Sequence, residues 1–495
     1  MSCAIWWIRR DLRLTDNQTL HAAIDHATAH PDGHVIPLFI LDPIFPKSPY
    51  FSLQRFGFLL EGLRILAQSL QARGSQLIVR SGRPQTVLSE FVQTANVTAI
   101  FAERDHSPYA TARDQQIQAA LSLHLTDGVS IRTPGTVLKN DGRPYTVYTP
   151  YRRKWEATTH LTRHHILPAP QNIPTPETIS SEPIPTDPTM SSEIAPLFPP
   201  GESAAKDRLG AYVRIPVQEH VRIPAQGQQQ TYAIRDYADS RDRPAIAGTS
   251  SLSPYLRFGM ISARLAAVGA MEAIQQAEVL GDATGRQSAE TWLSELIWRD
   301  FYISILAAFP HVRQQSFRSA YDNIVWDNDA DAFAAWCVGR TGYPFVDAAM
   351  RQLRQSGWMH NRARMVVASF LVKHLLIDWR WGERWFMQHL LDGDPAANNG
   401  GWQWTAGTGT DAAPYFRVFN PITQGKKFDP TGDYVRRWVP ELQRVEKKYI
   451  HEPWKMSPLE QRTCQCVIGE QYPMPIVDHK WARERVLDAY KQAKG

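Results

Sequence analysis

The sequence predicts a two-part protein. Its fold class is an α/β N-terminal domain with a Rossmann-like open parallel sheet, plus a C-terminal all-helical domain. Three observations carry this. Short apolar runs alternate with amphipathic stretches over residues 1–135. A proline-rich tract follows. Beyond residue 204, strand-like alternation nearly vanishes and long helical patterns take over. The corresponding boundaries are 1–135 for the α/β domain, 136–203 for an interdomain linker (Pro-rich at 168–200) and 204–495 for the helical domain.

The apolar runs Ala4–Ile8, Val35–Leu41, Leu77–Val79 and Val97–Ala102 read as buried strands, with a fifth at Val129–Arg132. Amphipathic stretches at Leu53–Leu70, Pro84–Gln93 and Thr111–Leu123 read as helices between them. Strands alternating with helices imply right-handed crossovers and a parallel sheet. Ligands of such sheets sit beyond the carboxyl ends of the strands. Neither G-x-G-x-x-G nor G-x-x-x-x-G-K-[ST] occurs, so the usual dinucleotide and NTP sites are not supported. The tract LPAPQNIPTPETISSEPIPTDPTMSSEIAPLFPP has no apolar periodicity and leans towards polyproline, as a surface connection would. Helical patterns then run over Ser262–Val279, Ala289–Ala307 and Asn361–Leu376.

Composition narrows the classes. The chain has 495 residues, 43% hydrophobic and 21% charged, which excludes a disordered or fibrous protein. No stretch approaches the roughly 18 apolar residues of a membrane span. The N-terminus MSCAIWWIRRDLRLTDN reads as a first strand rather than a signal peptide. Cys3, Cys337, Cys464 and Cys466 form no C-x-x-C pair, so neither a disulfide framework nor a zinc site is expected, and no metal. The expectation is a soluble protein of a reducing compartment. Net charge is +5, yet residues 166–205 hold no Lys or Arg, so the positive excess lies elsewhere. A basic face is one footprint of nucleic-acid binding; a solvated surface is the commoner origin.

Four segments could carry chemistry. GTSSLSPYLRFG (Gly248–Gly259) sets hydroxyls ahead of a helical pattern, as a phosphate cradle or as an ordinary N-cap. WLSELIWRDFY puts Trp292, Glu295, Arg299 and Tyr302 on one helical stripe, with Trp298 at its edge. A carboxylate among aromatics could bind a base edge; core tryptophans with a surface ion pair would give the same pattern. WMHNRARM places Asn361, Arg364 and Met365 on one face, and Asn suits a nucleobase or flavin edge. LLDGDPAANNGGWQW is the densest signal. Asp394 and Pro395 read as N-cap and first helical residue. Asp392, Asn398, Asn399, Gly400 and Gly401 are poor packing choices, so they suggest a ligand whose hydrogen-bonding edge is matched.

At these residues the chain resembles the cryptochrome/photolyase flavoprotein family. The match is close to bacterial-type (class I) cyclobutane-pyrimidine-dimer photolyases. The likeness runs from RRDLRLTDN (Arg9–Asn17) to KFDPTGDYVRRWVPEL (Lys427–Leu442) and HEPW (His451–Trp454). The resemblance implies an antenna domain and a helical domain holding FAD, whose reduced form FADH⁻ is active. By motif, Tyr237, Thr249, Ser250, Ser251, Leu252 and Ser253 would hold the FAD phosphates and ribityl chain. Trp292, Arg364, Asp392 and Asp394 would line the flavin, with Asn398 facing its reactive nitrogen. Plant-type cryptochromes carry Asp there. Glu295 and Asn361 would hydrogen-bond the lesion bases, and Trp298, Met365 and Trp404 would wall the lesion pocket. Arg241, Arg299 and Arg362 would be DNA or pocket-edge cations. Trp402, Trp379 and Trp326 would carry electrons from flavin to surface.

The implied activity is light-dependent repair. The enzyme flips out a pyrimidine dimer from single- or double-stranded UV-damaged DNA. Excited FADH⁻ then splits it by electron transfer, and the electron returns. The implied enzyme is a deoxyribodipyrimidine photo-lyase, a carbon–carbon lyase. It would act as a monomer without a membrane, in the cytoplasm or on the nucleoid of a bacterium. A second, antenna chromophore is implied, with Arg55, Asp105 and Arg257 as contacts. Folate binders carry Asn–Glu where this chain has Tyr109–Ala110, which favours a deazaflavin; FMN or an empty site are the alternatives. The functional alternative is a blue-light-sensing cryptochrome-type photoreceptor without repair. The short stretch after Trp454, with its helical VDHKWARERVLDAYKQA, favours the enzyme. A flavin-free nucleic-acid-binding protein is a third reading, and would purify colourless.

Overall fold

The computed structural model describes residues 2–187, 190, 194–214 and 233–493. Positions 188, 189 and 191–193 of the expected Pro-rich linker, and 215–232 of the expected helical domain, lie outside them. Backbone contacts group the described residues into two compact units. The first comprises 2–214, 233–235 and 250–310; the second comprises 236–249 and 311–493.

The first unit holds a five-stranded parallel sheet. Its strands are β1 (Ser2–Ile8), β2 (Gly33–Leu41), β3 (Ile78–Ser81), β4 (Val97–Glu103) and β5 (Leu123–Thr126), in spatial order β3-β2-β1-β4-β5. The strands read as continuous apolar runs because helices cover both sheet faces. Between them lie α1 (Gln18–Thr28), α2 (Leu53–Gln71), α3 (Pro84–Thr94) and α4 (Pro108–Gln118). Asn17 and Ser52 cap α1 and α2 by accepting from Leu20 N and Arg55 N. Trp7, Ile36, Leu38, Ile78 and Ile100 share one buried cluster.

The fifth strand corrects the sequence expectation. It is Leu123–Thr126, not Val129–Arg132, and α4 ends at Gln118 rather than running to Leu123. The amides of Ile131 and Arg132 are taken by the buried carboxylate of Asp300 at 3.0 and 2.9 Å, so this stretch has no ladder partner. Part of the Pro-rich tract also does more than connect. Val35 N donates to Pro174 O at 2.7 Å, and Glu182 N donates to Val79 O at 3.1 Å. Ser181 Oγ accepts from Val79 N at 2.9 Å. The two bonds to Val79 cover the free edge of β3, which an open sheet must protect, and the bond from Val35 pairs a part of β2 that β3 does not reach.

Further helices complete this unit: α5 (Tyr148–Thr158) and α6 (Glu202–Val213), then, beyond α7 (Tyr237–Ser240) of the second unit, α8 (Ser253–Phe258), α9 (Ala263–Val279) and α10 (Ala283–Ala308). Ser262 and Asp282 cap α9 and α10. Gly259 ends α8 at φ +61°, where a Cβ would lie 1.7 Å from Arg10 O. Only glycine permits that left-handed turn and close approach together.

The second unit is helical. It contains α11 (Ala330–Val338), α12 (Pro344–Ser356), α13 (Asn361–Ser369), α14 (Trp379–His389), α15 (Pro395–Ala406), α16 (Pro421–Phe428), α17 (Asp433–Trp438), α18 (Pro458–Thr463) and α19 (His479–Gln492). The helix expected over Asn361–Leu376 is α13 followed by a π-helical turn, Phe370–His374. Its core gathers Trp336, Phe345, Met350, Leu371, Phe386 and Trp402.

Candidate active site

In the second unit, the densest sequence motif builds a polar cluster around the start of α15. Asp394 caps that helix, its Oδ1 accepting from Ala396 N at 2.9 Å and Ala397 N at 3.2 Å, with Pro395 in the first turn. Arg364 of α13 donates to Asp392 Oδ2 at 2.8 Å and to Met359 O at 2.8 Å. Asp392 is buried, and its Oδ1 has no hydrogen-bond partner among the described residues. A buried carboxylate oxygen left open needs a donor, and a ligand can supply it. Asn398 donates from Nδ2 to Glu383 O at 2.9 Å. A Cβ at Gly401 would meet nothing within 4 Å. Asn399 proves structural: its Nδ2 and the Nε2 of Gln403 both donate to Val312 O at 2.9 Å. The sequence had grouped it with the ligand residues because a buried amide looks the same in either role.

Nearby in sequence, His360 caps α13, its Nδ1 accepting from Arg362 N at 3.1 Å; burial pushes its pKa down to about 4. Asn361 is exposed at the first helical position, while Met365 and Trp404 are half-buried. Arg362 forks onto Asp242 Oδ1 at 2.8 and 3.1 Å and stacks over Phe428 at 4.4 Å. Tyr237 is buried under the Arg241 guanidinium, 5.2 Å from its ring centre. Thr249 is half-buried.

In the first unit, the Ser250–Ser253 stretch is not an ordinary N-cap. The cap position of α8 is Leu252, with no side-chain bond, and Ser251 sits at φ 50°. Ser250 Oγ accepts from Trp292 Nε1 at 3.3 Å. On α10, Trp292 is buried, and Glu295, Trp298 and Arg299 are half-buried. Arg299 donates to Val129 O at 2.5 Å and Leu256 O at 3.3 Å, so its guanidinium braces the fold as well. Asp300 accepts from Trp155 Nε1 at 3.1 Å besides the two loop amides, and burial raises its pKa to about 6. The sequence reading missed Asp300 and Tyr148. An acid inside the apolar run LIWRDFY was a signal for the first; nothing local marked the second.

Trp402 and Trp379 are buried in the core of the second unit, and half-buried Trp326 packs against the same cluster. The indole N–H groups of Trp379 and Trp402 have no hydrogen-bond partner among the described residues. A Cβ on Gly382 would lie 2.1 Å from Cη2 of Trp402, so glycine lets that indole rest on the α14 backbone. Among the antenna candidates, Arg55 donates to Tyr50 O at 2.6 Å. Asp105 accepts from Arg10 at 3.2 Å and Ser107 N at 2.8 Å. Arg10, the Ser107 amide, Arg257 and Arg9 outweigh burial and hold its pKa well below the usual range. Arg257 O accepts from Arg10 Nε at 3.3 Å. Tyr109 donates to Asp42, and burial with that bond pushes its pKa up to about 12.

A unit built on a parallel α/β sheet and a helical unit with a buried carboxylate oxygen left open define the class: a two-unit protein with a candidate ligand site. Residues 4–176 match the family model for DNA photolyase, and residues 292–492 match the FAD binding domain of DNA photolyase. The chain is 39% identical to the deoxyribodipyrimidine photo-lyase of Vibrio cholerae over 99% of both sequences. It is similar in structure to a bacterial class III photolyase from Agrobacterium tumefaciens, with TM-score 0.87 and 36% identity, covering 100% of this chain and 98% of that one. It is also similar to a cryptochrome from Synechocystis, with TM-score 0.84 and 28% identity over 99% of each chain. The chain belongs to the DNA photolyase family. It carries an FAD-binding domain, and no described helix is long and apolar enough to cross a membrane.

Proposed function

We propose that this protein repairs cyclobutane pyrimidine dimers in DNA in a light-dependent reaction. The observation that carries this reading is the Asp392–Arg364 pair, with its open buried oxygen, inside a chain of this family. That donor set fits a flavin: Arg364 offers N–H groups, Asp392 an acceptor, and Gly401 room for close approach. Reduced FAD, when bound, supplies the photoexcited electron for the dimer and takes it back. We assign Tyr237 and Thr249–Ser253 to its phosphates and ribityl chain. Trp292, Arg364, Asp392, Asp394 and Asn398 are assigned to its ring system.

The protein's own part is recognition and placement. A dimer cannot be reached inside the stack, so it is flipped out, and poor stacking of the damaged pair lowers that cost. Glu295 and Asn361 hydrogen-bond the bases, and Trp298, Met365 and Trp404 exclude water around them. Glu295 also stabilises charge developing on the dimer. Arg241, Arg299 and Arg362 face phosphate or the pocket edge. Trp402, Trp379 and Trp326 pass an electron inward when the flavin is oxidised. The Arg55, Asp105 and Arg257 group is assigned to an antenna chromophore, a deazaflavin rather than a folate. The protein works as a monomer in the cytoplasm.

The test is Glu295→Ala. Repair yield per absorbed photon falls more than lesion affinity does. Loss of affinity with an unchanged yield would remove Glu295 from the chemistry.

A further inference from the structure

We propose that Tyr148 is a positioning residue of the lesion site, fixing the plane of the Trp298 indole. The inference rests on the reading that Trp298 walls the lesion pocket. The two rings stack face to face, centroids 3.6 Å apart and 8° from parallel. The Tyr148 hydroxyl donates to Ser294 O at 2.8 Å and lies 2.6 Å from Ser294 Oγ. Ser294 is one helical turn before Trp298 on α10, so a single tyrosine grips the helix backbone and the indole together. Phe301 closes the corner edge-on, 5.8 Å from Tyr148 and 5.6 Å from Trp298.

Tyr148 is itself held by a fixed element. It opens α5, and α5 is fastened to α10 again through Trp155 Nε1 on Asp300 at 3.1 Å and Tyr151 on Ser304 at 3.4 Å. Trp298 is half-buried and also meets the tilted Tyr302 ring at 5.4 Å, but the parallel Tyr148 ring is nearer and leaves the indole the least rotamer freedom. The stack removes that freedom before any DNA arrives. It also takes one π-face of the indole, so a base can meet only what remains. Both effects are preorganisation: the ordering cost is met in folding rather than in binding. The hydroxyl is spent on the helix, not on catalysis, so the ring rather than the oxygen carries the role.

The experiment measures affinity for a dimer-containing and an undamaged oligonucleotide, and repair yield of chemically reduced holoenzyme. The variants are Tyr148→Phe, Tyr148→Leu, Trp298→Ala and the Leu/Ala double. Tyr148→Leu weakens dimer affinity about two- to tenfold, the range for an aromatic pair. Affinity for undamaged DNA and repair yield per bound dimer stay unchanged. Tyr148→Phe restores most of the loss, and the double variant binds no worse than Trp298→Ala. Should the leucine variant not fold, Tyr148→Met fills the volume with a flexible chain and is read the same way. Wild-type dimer affinity in the Leu or Met variant, with affinity lost in Trp298→Ala, overturns the proposal alone. Additive losses overturn it too. Unchanged affinity in Trp298→Ala overturns the pocket-wall reading beneath it.

Discussion

Gly382→Ala probes the assigned electron path through packing. The added Cβ would lie 2.1 Å from Cη2 and 2.5 Å from Cζ3 of Trp402, and 2.6 Å from Cδ2 of Leu371. Carbon atoms rest at roughly 3.5 Å or more, so the indole must retreat by roughly 1.4 Å or the helix must give way. Overpacking of this kind costs about 1–3 kcal/mol. Alanine's better helix propensity offsets at most about 1 kcal/mol of it. The variant therefore unfolds at a lower midpoint. Light-driven reduction of its bound oxidised FAD also slows, because Trp402 is displaced. Repair by chemically pre-reduced protein stays near wild type, since that reaction does not need the tryptophans. The assay pairs a thermal melt with photoreduction followed in the visible band. An unchanged midpoint would refute the packing argument. A lowered midpoint with wild-type photoreduction would remove Trp402 from the path.

Two further outcomes follow from the same geometry. His360 has a folded pKa near 4, below its unfolded value, so the unfolded chain takes the proton first and stability is lost as pH falls from about 6.5 to about 4. His360→Asn keeps a capping residue without the titration; over that window wild type loses roughly 3 kcal/mol relative to it in denaturant titrations, and parallel pH curves would contradict this. Affinity for damaged DNA falls log-linearly with salt as counterions are released, and Arg241→Ala lowers the slope by about one; an unchanged slope would remove Arg241 from the phosphate contacts.

Much of this was legible in the sequence because the signals were local. Strands buried on both faces announce themselves as apolar runs, and Ala4–Ile8 and Val35–Leu41 lie inside β1 and β2. The Asp394–Pro395 start of α15 follows from capping chemistry alone. What was not legible depends on distant partners. Val129–Arg132 has strand composition, yet Asp300, far along the chain, claims its amides. The π turn after Ser369 leaves no mark in the apolar period. The Tyr148–Trp298 stack joins residues with no shared motif. Asn399 and Asn398 are neighbours of the same type, and each donates to a backbone carbonyl; that Asn399 is buried and also accepts from Gln403 is set by packing that no local pattern announces.

The central claim is light-dependent dimer repair. Its most direct test is an anaerobic assay of the reduced protein on a thymine-dimer oligonucleotide, illuminated against dark, with the released chromophores identified from the same preparation. The account predicts thymines restored only in the light, with FAD bound. Bound, photoreducible FAD with no repair would contradict it and favour a photoreceptor.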